Sequence, residues 1–316
     1  QLTLNIYTEV AEVEYLNGNF SEAQKLAELT LSQAKDVLEK VKLYEIKIQI
    51  YVAKNLMSEA FATGVQALSS LQVNFTNTPN NLQIIASFLQ VKLLLLNKRV
   101  DRLIDLPVMT DSNKLAAMRI LNTMAPAAAQ ANSLCFPLIV ATMTKLSLKY
   151  GNATVSTFGG YVLYGAMLCA KLGDIEGGYR FGKLAIQLLN KLQANLLRCK
   201  VYYAFNSMIR HWKEHLRETI VPLSETIQIG LETGNLEFVG YAALNYNNNL
   251  FLLGEKLLVV QEKTSEYIEL VKKLKIESMV ACLDSIQQNV TLLLNYDFEQ
   301  ESLVQNTVDE VELPQF

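Results

Sequence analysis

The sequence predicts an all-α protein in which helical hairpins stack into an α-α superhelix. Along residues 161–194, apolar side chains recur at three- and four-residue steps, which places them on one face of two helices joined by a Leu-Gly-Asp turn. Asp174 is placed to cap the second helix, and Gly173 to end the first in a left-handed conformation. No stretch alternates apolar and polar residues for long, so almost no strand is expected. A hairpin of this size needs similar neighbours to bury its apolar face.

The chain is expected to begin with a hairpin over residues 1–39, with the tripeptide GNF at 18–20 forming the turn. Ser21 and Gln24 are predicted to form a capping box, in which each side chain satisfies a backbone N–H group at the other position. Small and apolar residues then form the inner face of the second helix: Ala23, Leu26, Ala27, Thr30, Leu31 and Ala34.

A second hairpin, expected over residues 41–72, repeats this plan, since Ala60 lies 37 positions after Ala23 (60 − 23). Both hairpins resemble tetratricopeptide repeats, whose period is similar. The matching positions are Tyr7, Ala11, Gly18, Phe20, Ala23 and Leu31 in the first copy, and Tyr44, Tyr51, Ala60 and Ala67 in the second. Asn55 replaces the turn glycine of the second copy, and the closing proline of the repeat is missing from both. The resemblance implies a tetratricopeptide-like solenoid.

After a turn-rich break at residues 74–81, the helical array is expected to continue. Pro107 prevents a continuous helix in the connector over residues 99–111. Besides the hairpin at 161–194, helices are expected at 82–97, 112–130, 132–150, 195–212, 213–233, 236–253, 256–274 and 277–295. The predicted organisation is therefore tetratricopeptide-like hairpins over 1–79, a continuing helical array over 80–295, and an acidic tail or linker over 296–316.

Composition and charge exclude several functional classes. The 316 residues carry a net charge of −3 with no basic block, so nucleic acid is not an expected partner. No apolar run approaches the roughly 20 residues that cross a bilayer, and no signal peptide is visible. The four cysteines are scattered, which favours a reduced cytoplasmic setting. Because Gln1 lies inside an apparent helix, the sequence is expected to be a fragment of a longer protein.

Two short motifs match catalytic patterns. Gly177–Lys183, GGYRFGK, has the spacing of a phosphate-binding loop, but it runs through an amphipathic helix where that loop needs a strand before it. His211, Glu214 and His215, in HWKEH, match the inverted zinc-protease motif, in which two histidines four apart on a helix hold zinc. No third ligand is indicated by spacing, so neither a metal site nor any other cofactor is expected.

Asparagines are unusually frequent in one apolar helix. Asparagine favours caps and turns over helix interiors, yet four of them lie at 245 and 247–249. They are explained either by a solvated face or local kink, or by an amide-lined groove that binds the backbone of a partner. Under the second interpretation the contact residues are Arg210, Tyr241, Asn245 and Asn249.

A longer resemblance extends over most of residues 80–280. It is based on DRLIDLPVMTDSNKLAAMRIL, LIVATMTKLSLKYGN, YGAMLCAKLGDIEGGYRFGKLA, MIRHWKEHLRETIVPL and GLETGNLEFVGYAAL. These stretches resemble the central helical region of bacterial, notably cyanobacterial, multidomain signalling kinases. In that family a Ser/Thr-kinase-like domain is followed by an AAA/STAND-type ATPase, the helical region, a GAF sensor and usually a histidine kinase. The catalytic motifs of those domains are absent here, so no active-site residue is implied.

The leading hypothesis is therefore a non-catalytic helical-repeat module of a cytoplasmic sensor kinase. It would bind protein, either the flanking kinase, ATPase or GAF domains or another chain. The alternative is a helical ligand-sensing domain that binds a peptide or small effector. A zinc hydrolase built on HWKEH is a third hypothesis. The segment itself is not expected to be an enzyme, whereas its parent would be a Ser/Thr or histidine kinase.

Overall fold

A computed structural model of the protein describes residues 2–76, 78–130 and 134–296. The described residues are all-α, which confirms the all-α part of the predicted fold. The α-helices are α1 (Leu2–Leu16), α2 (Phe20–Gln33), α3 (Val37–Ala53), α4 (Met57–Ser70), α5 (Asn81–Leu94), α6 (Ser112–Gln130), α7 (Cys135–Tyr150), α8 (Leu163–Leu172), α9 (Ile175–Lys191), α10 (Arg198–Ala204), α11 (Ile220–Thr233), α12 (Leu236–Leu252), α13 (Leu257–Lys273) and α14 (Glu277–Leu294). Among these residues no strand forms, and Val108 and Asn152 make an isolated bridge.

The chain forms two compact units, residues 1–215 and 216–316. The first unit contains α1 to α10, and the second contains α11 to α14. The predicted segment boundaries at 79/80 and 295/296 stay predictions, and the tail from residue 297 onward lies outside the described residues. None of the described helices has both the length and the apolar character needed to cross a bilayer.

The first two hairpins repeat with the predicted spacing. Helix α4 begins and ends 37 positions after α2 (57 − 20 and 70 − 33), and α3 ends 37 positions after α1 (53 − 16). The two turns also correspond, because Gly18 and Asn55 both adopt a left-handed backbone, with φ of +80° and +58°. Asparagine replaces the turn glycine at little cost because its short polar side chain tolerates that conformation. The superhelical arrangement of the whole array stays a prediction.

The predicted capping box at Ser21 and Gln24 is wrong. Helix α2 begins two residues earlier than that box requires, at Phe20 rather than Glu22, so Asn19 occupies the cap position. The Asn19 side chain donates to Glu14 Oε2 at 2.6 Å and caps nothing. Capping boxes occur instead at the starts of α3 and α5, formed by Asp36 with Glu39 and by Asn80 with Gln83.

The predicted helices at 195–212 and 213–233 are only partly correct. Helix α10 continues as a π-helix over Phe205–Ile209 and a short 3₁₀ turn over Arg210–Trp212. A second 3₁₀ turn, Leu216–Thr219, precedes α11. Pro222 lies in the first turn of α11, where its missing N–H group would have no helical partner.

The inner face of helix α9 matches the predicted one only in part. The spacing in the sequence places Ile175, Tyr179, Gly182, Ala185, Ile186 and Leu189 on it, and of these Gly182, Ala185 and Leu189 are buried and the others half-buried. Phe181, Leu184 and Leu188 are buried beside them in the core of the first unit, whereas Glu176 and Arg180 are exposed as predicted. At the start of the helix, the Asp174 carboxylate accepts from the Gly177 N–H at 2.9 Å, and Gly173 before it has a left-handed φ of +67°. Both predicted caps of this hairpin are therefore confirmed.

Candidate interaction surfaces

The HWKEH segment lacks the geometry of a zinc site. His211 lies in the 3₁₀ turn, while Glu214 and His215 follow in irregular backbone, so the two histidines are not on successive turns of a helix. The Glu214 carboxylate accepts hydrogen bonds from the Tyr179 hydroxyl and, at 2.7 Å, from Arg210 Nε. Across the described ranges, no group of three or more His, Cys, Asp or Glu side chains is arranged to hold a metal ion.

These contacts make Glu214 the centre of an internal network that ties it to α9. Partial burial alone would raise the pKa of Glu214, but the hydrogen bonds from Tyr179 and Arg210 outweigh burial and lower the pKa. Burial and the same carboxylate raise the pKa of Tyr179 to about 12. Lys213 pairs with Glu176, and its ammonium lies 4.8 Å from the centre of the Tyr179 ring. The network therefore holds residues 210–214 against α9, which is a structural role.

Arg210, the first of the predicted groove residues, belongs to this network. Its side chain is 19% exposed and is held by Glu214 and by Asn206, whose Oδ1 lies 3.3 Å from Arg210 Nη1. The guanidinium is therefore engaged within the first unit.

The other predicted groove residues, Tyr241, Asn245 and Asn249, lie on α12 in the second unit. The Tyr241 hydroxyl donates to Glu237, and the Asn245 amide donates to the Tyr241 carbonyl at 2.9 Å. The Asn249 amide donates to Thr219 Oγ1 at 2.8 Å. The asparagine side chains thus satisfy groups of their own unit, and the partner groove stays a prediction.

The phosphate-loop match at Gly177–Lys183 lies entirely inside α9. Its glycines serve helix packing: a Cβ on Gly178 would lie 2.5 Å from the Gly165 carbonyl oxygen, and one on Gly182 would lie 2.5 Å from the Phe205 ring. The Lys183 ammonium lies 5.6 Å from the Tyr179 and Phe205 ring centres. No loop of free amides is present to hold a phosphate.

A polar pocket of about 260 Å³ lies among α1, α3 and α6. Arg119 Nε donates to Glu45 Oε1 at 2.9 Å, and Lys42 pairs with Glu12 and, at 3.5 Å, with Glu9. Burial raises the pKa of the Glu45 carboxyl despite the arginine. Because its charged side chains neutralise one another, this pocket has no excess charge to attract an ionic ligand.

Helix α5 has an apolar face that is exposed to solvent. Its inner face, with Ser87 and Val91 buried, packs into the first unit. Its outer face is also apolar, and the side chains of this face are 55–75% exposed: Leu82, Ile85, Leu89 and Leu93. A helix that is apolar on all sides is normally buried on all sides. The outer face of α5 therefore has the composition of a covered surface.

The same helix forms one wall of an apolar cleft of about 480 Å³. The opposite wall is α8, and the Phe88 ring stacks on Tyr164 at the cleft floor with ring centres 5.4 Å apart. Lys92 and Lys171 lie at the rim, and neither makes an ion pair with a described residue. We refer to the outer face of α5 together with this cleft as the α5 surface.

The sequence of α5 has two apolar faces, but it does not show which of them is exposed. The stretch IIASFLQVKLLLL lies within the helix expected over residues 82–97. Ile85, Leu89 and Leu93 follow each other at four-residue steps, and so do Ile84 and Phe88 on the next face. Two apolar faces on one helix predict two partners, but only the structure shows which face stays exposed.

The fold and these surfaces define a class: an all-α protein with an exposed apolar helix face and, in the described residues, no group of three or more His, Cys, Asp or Glu side chains arranged to hold a metal ion. No protein-family model matches the chain. Among curated proteins, it is similar to the hybrid signal transduction histidine kinase G of Dictyostelium discoideum, at 20% identity over 328 aligned positions. The alignment covers 95% of this chain and 9% of that kinase, so the chain spans less than a tenth of its length.

Proposed function

We propose that this chain is a non-catalytic helical-repeat module for protein interaction and signal relay within a multidomain sensor kinase. The observation that carries the proposal is the α5 surface. Apolar patches of this kind on a soluble fold mark sites where another surface docks. A helix-lined apolar groove suits an amphipathic helix with apolar residues on one face.

The relay role is supported by the similarity to a signalling histidine kinase along almost the whole chain. A segment that contributes no catalytic group to such a kinase would serve by connecting other parts of it. The partner would be a flanking kinase, ATPase or GAF domain, or a second protein. The cytoplasmic setting is part of the same proposal, and the scattered positions of the four cysteines along the sequence favour it.

A site-specific crosslink tests the proposal. A photoreactive phenylalanine analogue at Leu89 is introduced into the full-length protein in its own cells, with the same analogue at Leu258 as control. Both positions are exposed, at 55% and 68%, but only Leu89 belongs to the α5 surface. We expect position 89 to give one discrete product whose peptide maps to an apolar helical segment. Equal products from both positions, or none from position 89, would contradict the proposal.

A ligand-sensing role is the second candidate, because the cleft itself is large enough for a small molecule. Its volume of about 480 Å³ lies in the range of ligand pockets, and its walls are mostly apolar. A small apolar effector would raise the unfolding temperature of the wild-type chain and leave a Met167→Trp variant, with its cleft filled, unchanged. A protein partner would instead be lost on substitution of the outer face at Leu93, which is 64% exposed and does not line the cleft.

A further inference from the structure

Helix α1 also has a solvent-exposed apolar face. Along α1, the side chains of this face follow one another at three- and four-residue steps and are 40–75% exposed: Leu2, Ile6, Val10, Val13 and Leu16. That spacing places them on one side of the helix. The opposite side packs on α2 through Ala11, which is fully buried.

The 37-residue repeat allows this face of α1 to be compared with the equivalent positions of α3. The counterparts of Ile6 and Val13 in α3 are Leu43 and Ile50 (43 − 6 and 50 − 13). Leu43 and Ile50 are 1% and 0% exposed, whereas Ile6 and Val13 are 53% and 52% exposed. At these two positions the repeat is therefore buried on α3 and exposed on α1.

The surface that covers α3 is formed by both helices of the preceding hairpin. Leu43 and Ile50 share a buried cluster with Ala23 and Ala27 of α2 and with Ala11 of α1. Ala23 and Ala27 are four positions apart, so they lie on one face, and their small side chains let the two helices approach closely. A helix that covers α1 in the same way needs small residues at the same four-residue step.

Four residues depart from the correspondence. Leu2, Val10 and Leu16 stand where α3 has Glu39, Lys47 and the exposed Ala53, and Glu9 stands where α3 has Ile46, which is 1% exposed. Glu9 lies seven positions after Leu2 and seven before Leu16, so it belongs to the same side of α1. Its carboxylate lies 3.5 Å from Lys42 of α3, which directs its charge toward the neighbouring helix.

We infer that the exposed face of α1 receives the second helix of a further hairpin of this repeat, joined ahead of α1 in the same polypeptide. The connection between α2 and α3 is only three residues long, 34–36, so a tethered hairpin would face α1 at high effective concentration. An untethered hairpin of two helices buries too little surface to fold alone. A covalent neighbour is therefore the occupant that the geometry favours.

An added repeat tests the inference directly. A copy of residues 1–37 is placed before Gln1 of the full chain, which preserves the 37-residue register and sets the α2 copy against α1. We expect amide exchange in α1 to slow and the unfolding temperature of the first unit to rise by at least about 2 °C. No rise and no slowing would overturn the inference.

A charge-insertion pair provides the control. In the extended chain, Ile6→Glu with Val13→Glu in the original α1 is expected to abolish both gains, because two carboxylates would be buried. In the chain without the copy, the same pair should leave stability unchanged, since both side chains are exposed there. A gain that survives the pair contradicts the inference. A free peptide of residues 1–37 that protects α1 as well as the tethered copy would contradict the same-chain assignment.

Discussion

The backbones of Gly165 and Gly178 approach each other where α8 crosses α9. A Cβ on Gly165 would lie 2.6 Å from the Gly178 carbonyl oxygen, and a Cβ on Gly178 would lie 2.5 Å from that of Gly165. Both distances are far below van der Waals contact, so the crossing requires glycine on both helices. The close approach lets Phe181 bury against Tyr164, with ring centres 5.0 Å apart.

We expect Gly178→Ala to destabilise the first unit by about 2–3 kcal/mol, because the added methyl group meets rigid backbone and must separate the helices. Gly159→Ala is the matched control. Its Cβ would meet Met143 Cε and lie 2.5 Å from Met143 Sδ, at the far end of a flexible side chain that can rotate away. The loss there should stay below about 1 kcal/mol. Urea unfolding of both variants measures the difference, and equal losses would show that the crossing has room for a side chain.

A second prediction concerns the hydrogen bond from Tyr179 to the Glu214 carboxylate. At pH 7, Tyr179→Phe should cost about 1.5–3 kcal/mol, the range for a hydrogen bond to a charged group. The hydrogen-bonded carboxyl has its pKa below the ordinary 4.5, so its stabilising contribution is present above about pH 4.5 and lost as the pH falls through the folded value. The difference between wild type and variant should therefore shrink below pH 4.5.

Unfolding free energies at pH 7 and pH 3.5 check this prediction. Tyr150→Phe is the control, because Tyr150 is 42% exposed and lies beside Lys114 rather than a carboxylate. Its effect should be within about 0.5 kcal/mol at both pH values. A Tyr179→Phe loss that is the same at both pH values would mean that the charge of Glu214 does not contribute.

A third prediction concerns the buried pair Asn247 and Thr264 in the second unit. Both are fully buried, and the Thr264 hydroxyl lies 3.1 Å from Asn247 Oδ1 and 2.7 Å from the Val260 carbonyl oxygen. Thr264→Val keeps the shape but removes the single hydroxyl proton that Asn247 Oδ1 shares with the Val260 carbonyl oxygen, which should cost about 1–3 kcal/mol. The exposed Ser285→Ala, which loses only a bond to its own helix, should cost less than about 0.5 kcal/mol.

A double-mutant cycle makes the test specific. Asn247→Leu with Thr264→Val replaces both polar partners by apolar groups, so the double variant should lose less than the sum of the two single losses. Denaturant unfolding of the four proteins gives the coupling free energy. Simple additivity would show that the two side chains do not depend on each other.

The helices with regular amphipathic patterns could be predicted from the sequence, and α9 shows why. Its apolar residues keep the 3.6-residue period over the whole helix, and Gly173 with Asp174 supplies both caps of the turn before it. Each of these is a local property of the sequence. The same holds for the 37-residue repeat, because Ala23 and Ala60 mark the same small position of two hairpins.

The irregular segments could not be predicted, because long-range packing determines them. The chain forms a π-helix at Phe205, whose ring lies against Gly182 of α9. Glu214 then bonds to Tyr179, 35 positions earlier. Neither contact follows from the spacing in HWKEH, which suggested a helix. The α5 surface was missed for the same reason, since exposure of one apolar face depends on what the rest of the unit leaves uncovered.

The last prediction separates the two faces of α5 by what each contributes to folding. Ile85→Ser with Leu89→Ser should change the free energy of unfolding by no more than about 0.5 kcal/mol per substitution, because both side chains are 55% exposed. The pair should, however, reduce the binding of an environment-sensitive apolar dye, since it removes the centre of the exposed patch. Val91→Ser, on the fully buried inner face, should instead cost about 2–4 kcal/mol by leaving a cavity and an unpaired hydroxyl. If the outer pair destabilises the unit as much as Val91→Ser does, the outer face is part of the unit's own core, and the docking role of α5 has no basis.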